Sequence, residues 1–508
     1  VSEDTYDELP DQMRVRREKL ARLRESGIDP YPVGFPRTAT IAEIRDSHAG
    51  LEPDVATGQK AGVAGRVILA RNTGKLCFAT IRDGSGDIQI MLSLAGVGEE
   101  TLEAWKRDVD LGDHVGVEGE IITSRRGELS VMADSFAITS KCLRPLPEKH
   151  AGLTDPEARV RLRYVDLIVN DEARRMARVR SATVRAVRDF WHEEGYLEVE
   201  TPMLQPIHGG AAARPFRTHI NAYGMDLYLR IAIELYLKRL VVGGIDKVFE
   251  VSRTFRNEGA DSTHNPEFTM LEAYGTYLDY NDMADLTQRM YQKAVVAALG
   301  TSVVVHEAPV GPDRGGRTER QEIDLGLEVW PRITLYGAVS EALGEEVDPG
   351  TPLETVRKYA DAREIHWDPK AGQGRLVQEL FEELVEHTLV QPTFVMDYPL
   401  ETSPLTRQHR DDPRLTEKWD LIGFGTELGT AYSELIDPIE QRRRLTEQSL
   451  LAAGGDLEAM QLDEDFLRAL EYAMPPTGGM GAGIDRMIMA FTGKNIRDTI
   501  LFPLVKPE

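Results

Sequence analysis

Residues Val248–Tyr274 read VFEVSRTFRNEGADSTHNPEFTMLEAY, two runs of strand-like alternation around a charged loop that contains a glycine. In the second run Phe268, Met270, Glu272 and Tyr274 fall on one face of a period-2 strand, with Thr269, Leu271 and Ala273 on the other. In the first run Val248, Glu250, Ser252, Thr254 and Arg256 share a face, and Arg256 opens a loop that holds Asn257, Glu258, His264, Asn265 and Glu267. A fixed guanidinium beside an aromatic ring suits a phosphate and a purine. A charged hairpin taken at random is more often a solvated surface. Here the register of Phe268, Glu272 and Tyr274 with an arginine-bearing neighbour points to a site.

Other segments carry chemistry that fits beside this hairpin. In TEKWDLIGFGTELGTAYSELIDP, a two-residue turn at Gly423-Phe424 places Asp420 opposite Glu427. Two like charges so placed call for a divalent cation, and oxygen-only ligands favour Mg²⁺; the alternative is a shifted register in which they never meet. Thr430, Tyr432 and Glu434 share a face, which Glu427 joins only if Gly429 marks a bulge, and that bulge is expected. In GMGAGIDR, Gly479, Gly481 and Gly483 lie on one face of a strand that runs into a helix near Ile484, with Arg486 in its first turn. A cation there needs an anion or a ring nearby, and such a helix start suits a nucleotide, although tight helix-strand packing explains glycines equally well. Gly209 and Gly210 let a ligand approach the backbone. LYLRIAIELYLKRLVVGG reads as a helix carrying Glu234 among apolar residues, either a paired structural carboxylate or a ligand for an amine.

The chain has 508 residues, 41% hydrophobic and 28% charged, which predicts two to four globular domains. A formal net charge of −24 excludes a general nucleic-acid coat protein but allows a local basic surface. Cys77 and Cys142 lack the company that a zinc site or disulfide framework needs. No apolar run is long enough to span a bilayer and VSEDTYDELP is unlike a signal peptide, so the expected compartment is the cytoplasm, with no membrane partner.

PDQMRVRREKLARLRESG predicts a helix stopped by Gly27, whose Arg14, Arg16, Arg17, Lys19, Arg22 and Arg24 form either a solvated face or an RNA-backbone contact. From about Ala61 to Leu143, short β runs and glycine turns predict a small barrel of OB-fold type. Arg66, Phe78, Gln89 and Glu128 are its candidates for contact with single-stranded bases, although Phe78 taken alone reads as core. A helix from about Asp171 to Glu194, ended by Gly195, leads into YLEVETPML, where Pro202 confines the strand to an edge or interface, a common dimer element that also serves within a monomer. Residues 276–300 read as a helix, residues 301–321 as a polar loop, and the segment to His387 as mostly helical around WDPKAGQG.

GYLEVETPML, FRNEG…HNPEF and GMGAGIDR together resemble the three signature motifs of class II aminoacyl-tRNA synthetases. The barrel ahead of them is similar to that of subclass IIb, and RPF, ELYLKRLVVGG, HNPEFTMLEAY, SPLTRQHR and ILFP look most like the lysyl-tRNA synthetase family. The resemblance implies an α+β chain. It would have a basic helix and linker over 1–58, an anticodon-binding OB-fold over 59–145, a linker over 146–170, and a catalytic domain with an antiparallel sheet over 171–508. It further implies that Arg256 bridges the substrate carboxylate and the α-phosphate of ATP, that Phe268 and Arg486 sandwich the adenine, and that Glu258, His264 and Asn265 surround the nucleotide. L-lysine would meet Gly210 and Glu234 at its α-amine and Glu272, Tyr274 and Glu434 at its ε-amine, with Thr430 and Tyr432 alongside. Asp420 and Glu427 match the Mg²⁺ ligands, and Arg66, Phe78, Gln89 and Glu128 match positions that read the anticodon of tRNA-Lys. A homodimer is implied as well. The sequence departs from the family pattern at Thr430 and Ile436, where asparagines are usual, at Asp420 for glutamate, and at Ile233 for proline. Two rival readings are a paralogue that passes lysine or an analogue to another acceptor and a non-catalytic tRNA-binding scaffold. The intact barrel opposes the first; Arg256, Arg486, Glu427 and Phe268 oppose the second.

Overall fold

The computed structural model describes residues 9–147, 153–309, 318–453 and 460–506, in two compact units that divide between Thr154 and Asp155. The first comprises α1 (Asp11–Glu25), α2 (Ile41–Ser47), β1 (Ala56–Thr73), β2 (Leu76–Arg82), β3 (Asp87–Ser93), α3 (Leu94–Asp108), β4 (His114–Thr123) and β5 (Leu129–Ser140). Its described strands close a barrel in the order β1-β2-β3-β5-β4. The period-2 pattern sets the inside: Cys77, Ala79 and Ile81 from β2 meet Ile88, Ile90 and Leu92 from β3 and Val115 and Val117 from β4. Phe78 points the other way and stands half-buried on the outer surface, so it is not a core residue.

Part of the basic face of α1 is spent on this unit rather than left for RNA. Arg16 is buried, and its guanidinium donates to the carbonyls of Cys142 and Leu111, both at 2.9 Å. Lys19 pairs with Asp110 at 2.6 Å. A long side chain can bury its stem against apolar neighbours and still satisfy its charged head with carbonyls, an outcome that charge counting does not foresee.

The second unit begins with α4 (Pro156–Arg161), α5 (Arg163–Val169) and α6 (Asp171–Glu193). The segment over 146–170, expected as a linker that turns into a basic helical stretch, is helical from Pro156 to Val169 with a break at Leu162. Arg163 donates to the carbonyls of Leu501 and Arg497 at 3.0 and 2.7 Å, which packs this segment into the second unit. Next come β6 (Leu197–Glu198), β7 (Leu204–Gln205), β8 (Arg217–Ile220), β9 (Met225–Leu229) and α7 (Glu234–Val242). The run expected as one helix is thus a strand followed by a helix that starts after Ile233. The hairpin strands β10 (Lys247–Phe255) and β11 (Glu267–Thr276) precede α8 (Tyr280–Leu299). The expected loop at 301–321 is in part a β-hairpin, β12 (Val303–Pro309) paired with β13 (Thr318–Asp324), and residues 310–317 lie outside the described set. The remainder is β14 (Arg332–Thr334), α9 (Leu335–Leu343), α10 (Leu353–Asp361), α11 (Gln373–Leu384), β15 (Thr393–Pro399), β16 (Leu415–Gly423), β17 (Thr426–Ser433), α12 (Pro438–Ala453), α13 (Glu464–Leu470), β18 (Thr477–Gly483), α14 (Ile484–Thr492) and α15 (Ile496–Thr499).

Among the described residues, eight strands form one sheet in the order β14-β15-β16-β17-β18-β11-β10-β6. All neighbours are antiparallel except the two edge pairs, β14 with β15 and β6 with β10. The strand expected in YLEVETPML shrinks to Leu197–Glu198 at that edge, and Pro202 falls beyond it. One face of the sheet is core: Phe249, Leu271, Ala431 and Met480 pack with Met176, Val187 and Trp191 of α6 and with residues of α8. Trp191 is fully buried, edge-on to Tyr196 at 4.6 Å between ring centroids. Burying each large apolar side chain of this layer contributes about 1.5–3 kcal/mol. Alternation then leaves the opposite face of β11, β18 and β17 for polar residues.

Candidate active site

That opposite face is organised in rows that follow the strand register. One row runs Glu250, Glu272, Gly481, Thr430 and Asp420 from β10 to β16, and its neighbour runs Val248, Tyr274, Gly479, Tyr432 and Lys418. The glycine strand β18 therefore forms a floor between two walls of functional side chains. A Cβ on Gly479 would lie 2.5 Å from the Tyr274 ring and collide with Glu434 Oε1.

At one end of the floor stand three buried carboxylates, Glu234, Glu272 and Glu434. Glu272 accepts the Tyr274 hydroxyl at 3.0 Å and the Ile233 N–H at 3.3 Å. Burial, followed by the charge of Glu234, pushes the Glu272 carboxyl up to about 8. Glu234 opens α7. Gly210, at φ 87°, brings its loop close enough that a Cβ there would sit 3.2 Å from Glu234 Cβ. Glu250 lies on the same face but is fully engaged by Arg230 at 2.8 Å and by the Thr201 hydroxyl at 2.6 Å.

At the other end the Arg256 guanidinium stands 5.2 Å over the Phe268 ring. The hairpin ladder continues one step beyond its strands, from Arg256 N–H to the Pro266 carbonyl at 2.9 Å, which fixes that stacking. Arg256 Nε is buried without a hydrogen-bond partner, a donor held ready for an anion. Arg486, in the first turn of α14, donates to the Glu427 carbonyl at 2.9 Å, and its guanidinium lies 3.6 Å from the Glu427 carboxylate. A cleft brings Arg256, Glu258, His264, Asn265, Phe268, Glu427, Thr430, Gly481 and Arg486 together. Asn265 spans two loops, donating to the Glu267 carbonyl at 2.5 Å and accepting the Leu504 N–H at 3.3 Å. His264 is exposed, 3.1 Å from Asp261.

A cationic, aromatic-lined end joined by a glycine floor to an anionic end describes a site for a nucleotide and a cationic small molecule. The family model for class II tRNA synthetases (D, K and N) matches residues 155–506, and the model for the OB-fold nucleic acid binding domain matches 62–139. The chain is 57% identical to a lysine–tRNA ligase of Mycolicibacterium gilvum, over 100% of this chain and 99% of that one. The chain belongs to the lysine–tRNA ligase family of class II synthetases. A lysine–tRNA ligase of Kineococcus radiotolerans is 53% identical over 100% and 99% of the two chains. A lysylphosphatidylglycerol biosynthesis bifunctional protein of Mycobacterium ulcerans is 52% identical over 100% of this chain and 44% of its own length.

The Arg256–Phe268 end and the Glu234–Glu272 end lie on one sheet face, but the structure corrects the hairpin expected to carry the metal pair. The turn is Phe424-Gly425, both at positive φ (57° and 73°), rather than Gly423-Phe424. Asp420 consequently faces Thr430, and Glu427 faces Ile422. The expected bulge is present, with Leu428 as its extra residue beside Gly429, and it turns Glu427 into the nucleotide cleft. Asp420 Oδ2 lies 3.0 Å from Lys418 Nζ, while Asp420 Oδ1 is buried without a hydrogen-bond partner. Among the described residues no group of three or more His, Cys, Asp or Glu is arranged to hold a metal ion. The buried, unpartnered oxygen of Asp420 nonetheless offers a ligand to Mg²⁺, an ion that takes few protein ligands and keeps its waters.

Arg66, Phe78 and Gln89 lie on the adjoining strands β1, β2 and β3 of the family's OB-fold, and Glu128 immediately precedes β5. Phe78 is the diagonal neighbour of Gln89, which faces Ser130, two residues from Glu128, and Gln89 Nε2 donates to Ser130 Oγ at 2.9 Å. Arg66 donates to the Gly112 carbonyl at 2.8 Å, and Glu128 is exposed, 3.5 Å from Arg45.

Sequence reading missed three supports of the site. Asp485 accepts the Thr269 N–H at 2.6 Å and pairs with Arg180 at 2.5 Å, which ties β11, α6 and α14 together behind Phe268. Its signal was an acid in the first turn of a helix. Arg230, which neutralises Glu250, and Lys238, one turn beyond Glu234, gave no signal beyond being cations in apolar runs.

Proposed function

We propose that this chain is a lysine–tRNA ligase that activates L-lysine with ATP and transfers it to the 3′ end of tRNA-Lys. The observation that carries the reading is the trio of buried carboxylates, Glu234, Glu272 and Glu434, at the end of the floor away from Arg256. A long aliphatic amine entering a desolvated pocket needs its distant charge paired, and those groups supply the pairing. Gly210 and Glu234 then hold the α-amine, Glu272, Tyr274 and Glu434 the ε-amine, with Tyr432 alongside and Thr430 near the substrate carboxylate.

With lysine so placed, its carboxylate and the α-phosphate of ATP meet at Arg256, whose unpartnered Nε lies ready for the negative charge. Phe268 and Arg486 sandwich the adenine. In the first step a lysine carboxylate oxygen attacks the α-phosphate in line and pyrophosphate leaves, giving lysyl-adenylate. In the second, a terminal ribose hydroxyl of tRNA attacks the adenylate carbonyl and AMP leaves. The chain offers no nucleophile of its own to either step; it positions the reactants and stabilises developing charge. Asp420 and Glu427 would hold Mg²⁺, which when bound supplies charge neutralisation at the phosphates.

Arg66, Phe78, Gln89 and Glu128 offer a stacking ring and polar edges to the anticodon. The segment from β6 to β7, with Leu197, Met203 and Leu204 each about half exposed, is the surface we assign to a second copy of the chain. Among the described residues no helix is long and apolar enough to cross a membrane, and a cytoplasmic site of action fits the substrates.

The test is amino-acid-dependent exchange of pyrophosphate into ATP across all twenty amino acids. Exchange with lysine alone is expected, and its absence sinks the reading. Acylation of tRNA-Lys then separates this function from that of a paralogue with another acceptor. Glu434→Gln should raise the KM for lysine by about 30-fold or more, as expected for an uncompensated change at a buried charge pair. An unchanged KM would remove Glu434 from ε-amine recognition.

A further inference from the structure

The mechanism above leaves one buried charge without a task. Lys238 lies one helical turn after Glu234 on α7 and is fully buried. Its Nζ is 2.6 Å from Glu234 Oε1 and 2.5 Å from Glu434 Oε2, so one ammonium joins the first turn of a helix to the residue that follows β17. An ammonium removed from water is tolerated only when paired. Here it is paired with two of the three carboxylates assigned to the substrate.

The charges of the enclosed space can be tallied. Glu234, Glu272 and Glu434 contribute three negative charges when ionised, and Lys238 returns one. Glu250 adds nothing, because Arg230 neutralises it at 2.8 Å. The remainder is two, one for each ammonium of lysine, whose carboxylate is met separately by Arg256. Without Lys238, Glu234 and Glu434 would share a desolvated space with no common counter-ion, and such a pair relieves its repulsion by taking up a proton or by turning away.

We propose that Lys238 is a positioning and specificity-determining residue: it fixes Glu234 and Glu434 relative to each other and sets the pocket to accept a molecule with two ammonium groups. The inference rests on the lysine reading of the site and deepens it. A purely structural lysine would hold α7 in place without affecting the choice between mono- and diammonium compounds.

The experiment compares the native chain with Lys238→Met and Lys238→Ala by pyrophosphate exchange. In Lys238→Met the KM for lysine should rise about 30-fold or more, with kcat and the KM for ATP within about threefold of native, as expected when a binding rather than a reacting group is lost. Methylammonium should restore much of the lost affinity in Lys238→Ala, and methanol, a neutral compound of similar size, should not. A lysine KM within twofold of native, or equal rescue by both additives, overturns the proposal. A measurement on the native chain stands whether or not the variants fold: 1,5-diaminopentane should compete with lysine at least about 30-fold better than 1-aminopentane. Equal competition overturns the proposal. If the native chain shows no lysine-dependent exchange, the lysine reading itself fails; if it does and these contrasts are absent, only the role of Lys238 fails.

Discussion

Tyr274 and Tyr432 flank a single glycine, each paired in register with Gly479 on the strand between them. The phenol of Tyr274 is tied to Glu272 at 3.0 Å, so the width of the amino-acid pocket is set by a residue with no side chain. Gly479→Ala should therefore destabilise the second unit by about 1–3 kcal/mol through overpacking and raise the KM for lysine. Gly481→Ala is the contrast. Its Cβ would meet the Met270 methyl at 3.2 Å, a flexible neighbour that can move, so its melting temperature should stay near native while exchange falls about tenfold or more because the methyl intrudes on the substrate floor. Thermal melting and exchange kinetics on both variants check this pair.

Arg256→Lys keeps a positive charge but loses the planar fork over Phe268. Exchange should drop by about 10²–10³-fold, as when one preorganised donor is removed from a developing oxyanion, with little change in unfolding free energy. Retention of more than a third of native activity would argue against a role for the fork.

The pH dependence of lysine binding follows from Glu272, whose carboxyl is held up to about 8 by burial and then by Glu234, and from Glu434, which burial also pushes up against the pull of Lys238. Tyr274 donates to Glu272, Glu250 faces it across the strand pair, and Lys238 pairs with both Glu234 and Glu434. Lysine requires the ionised form and so displaces a proton below pH 8. The KM for lysine should fall by up to about tenfold per unit as pH rises toward 8, then level off. For the empty protein the sign is opposite. A carboxyl that ionises near 8 when folded but at an ordinary 4.5 when unfolded costs stability as pH climbs between those values. Calorimetry of lysine binding in buffers of different ionisation heat should show proton release at pH 7 and none above pH 9.

Asp420→Asn removes the carboxylate charge that the unpartnered Oδ1 shares with Oδ2, the oxygen 3.0 Å from Lys418 Nζ. The Mg²⁺ concentration giving half-maximal exchange should increase by about tenfold or more. An unaltered Mg²⁺ titration would show that Asp420 serves only Lys418.

Arg16→Ala should destabilise the barrel unit by about 3 kcal/mol, since two charged hydrogen bonds to the Cys142 and Leu111 carbonyls are lost together. The KM for tRNA should change by no more than about twofold. Denaturant unfolding and tRNA aminoacylation measure the two quantities separately.

What could be read before folding was whatever a strict period or a local motif controls. The shared face of Phe268, Glu272 and Tyr274 and that of Glu250 and Thr254 followed from period-2 alternation, and the glycine face of β18 followed from its spacing. The pairing of Thr254 with Phe268 and of Glu250 with Glu272 depends instead on where the hairpin loop closes. The β16–β17 turn was misplaced because Phe424 adopts φ 57°, a conformation that a bulky residue accepts only when the surrounding sheet holds it there. β12 and β13 were missed because a two-stranded ribbon with polar residues on both faces shows little alternation. Arg16 and Lys238 were unreadable for a common reason: what a buried cation pairs with is decided by residues distant in the chain, Cys142 for the one and Glu434 for the other.

The order of the sheet sets a timetable for biosynthesis. Among the described residues β18 is the last strand to be made, yet it lies between β17 and β11. Until residue 483 has left the ribosome, those two strands present open edges to the cell, and the walls of the substrate groove have nothing to join them. A chain interrupted before that point would hold every residue of the Val248–Tyr274 hairpin and still have no floor on which to bring ATP and lysine together; its exposed edges would make it a target for chaperones or aggregation instead.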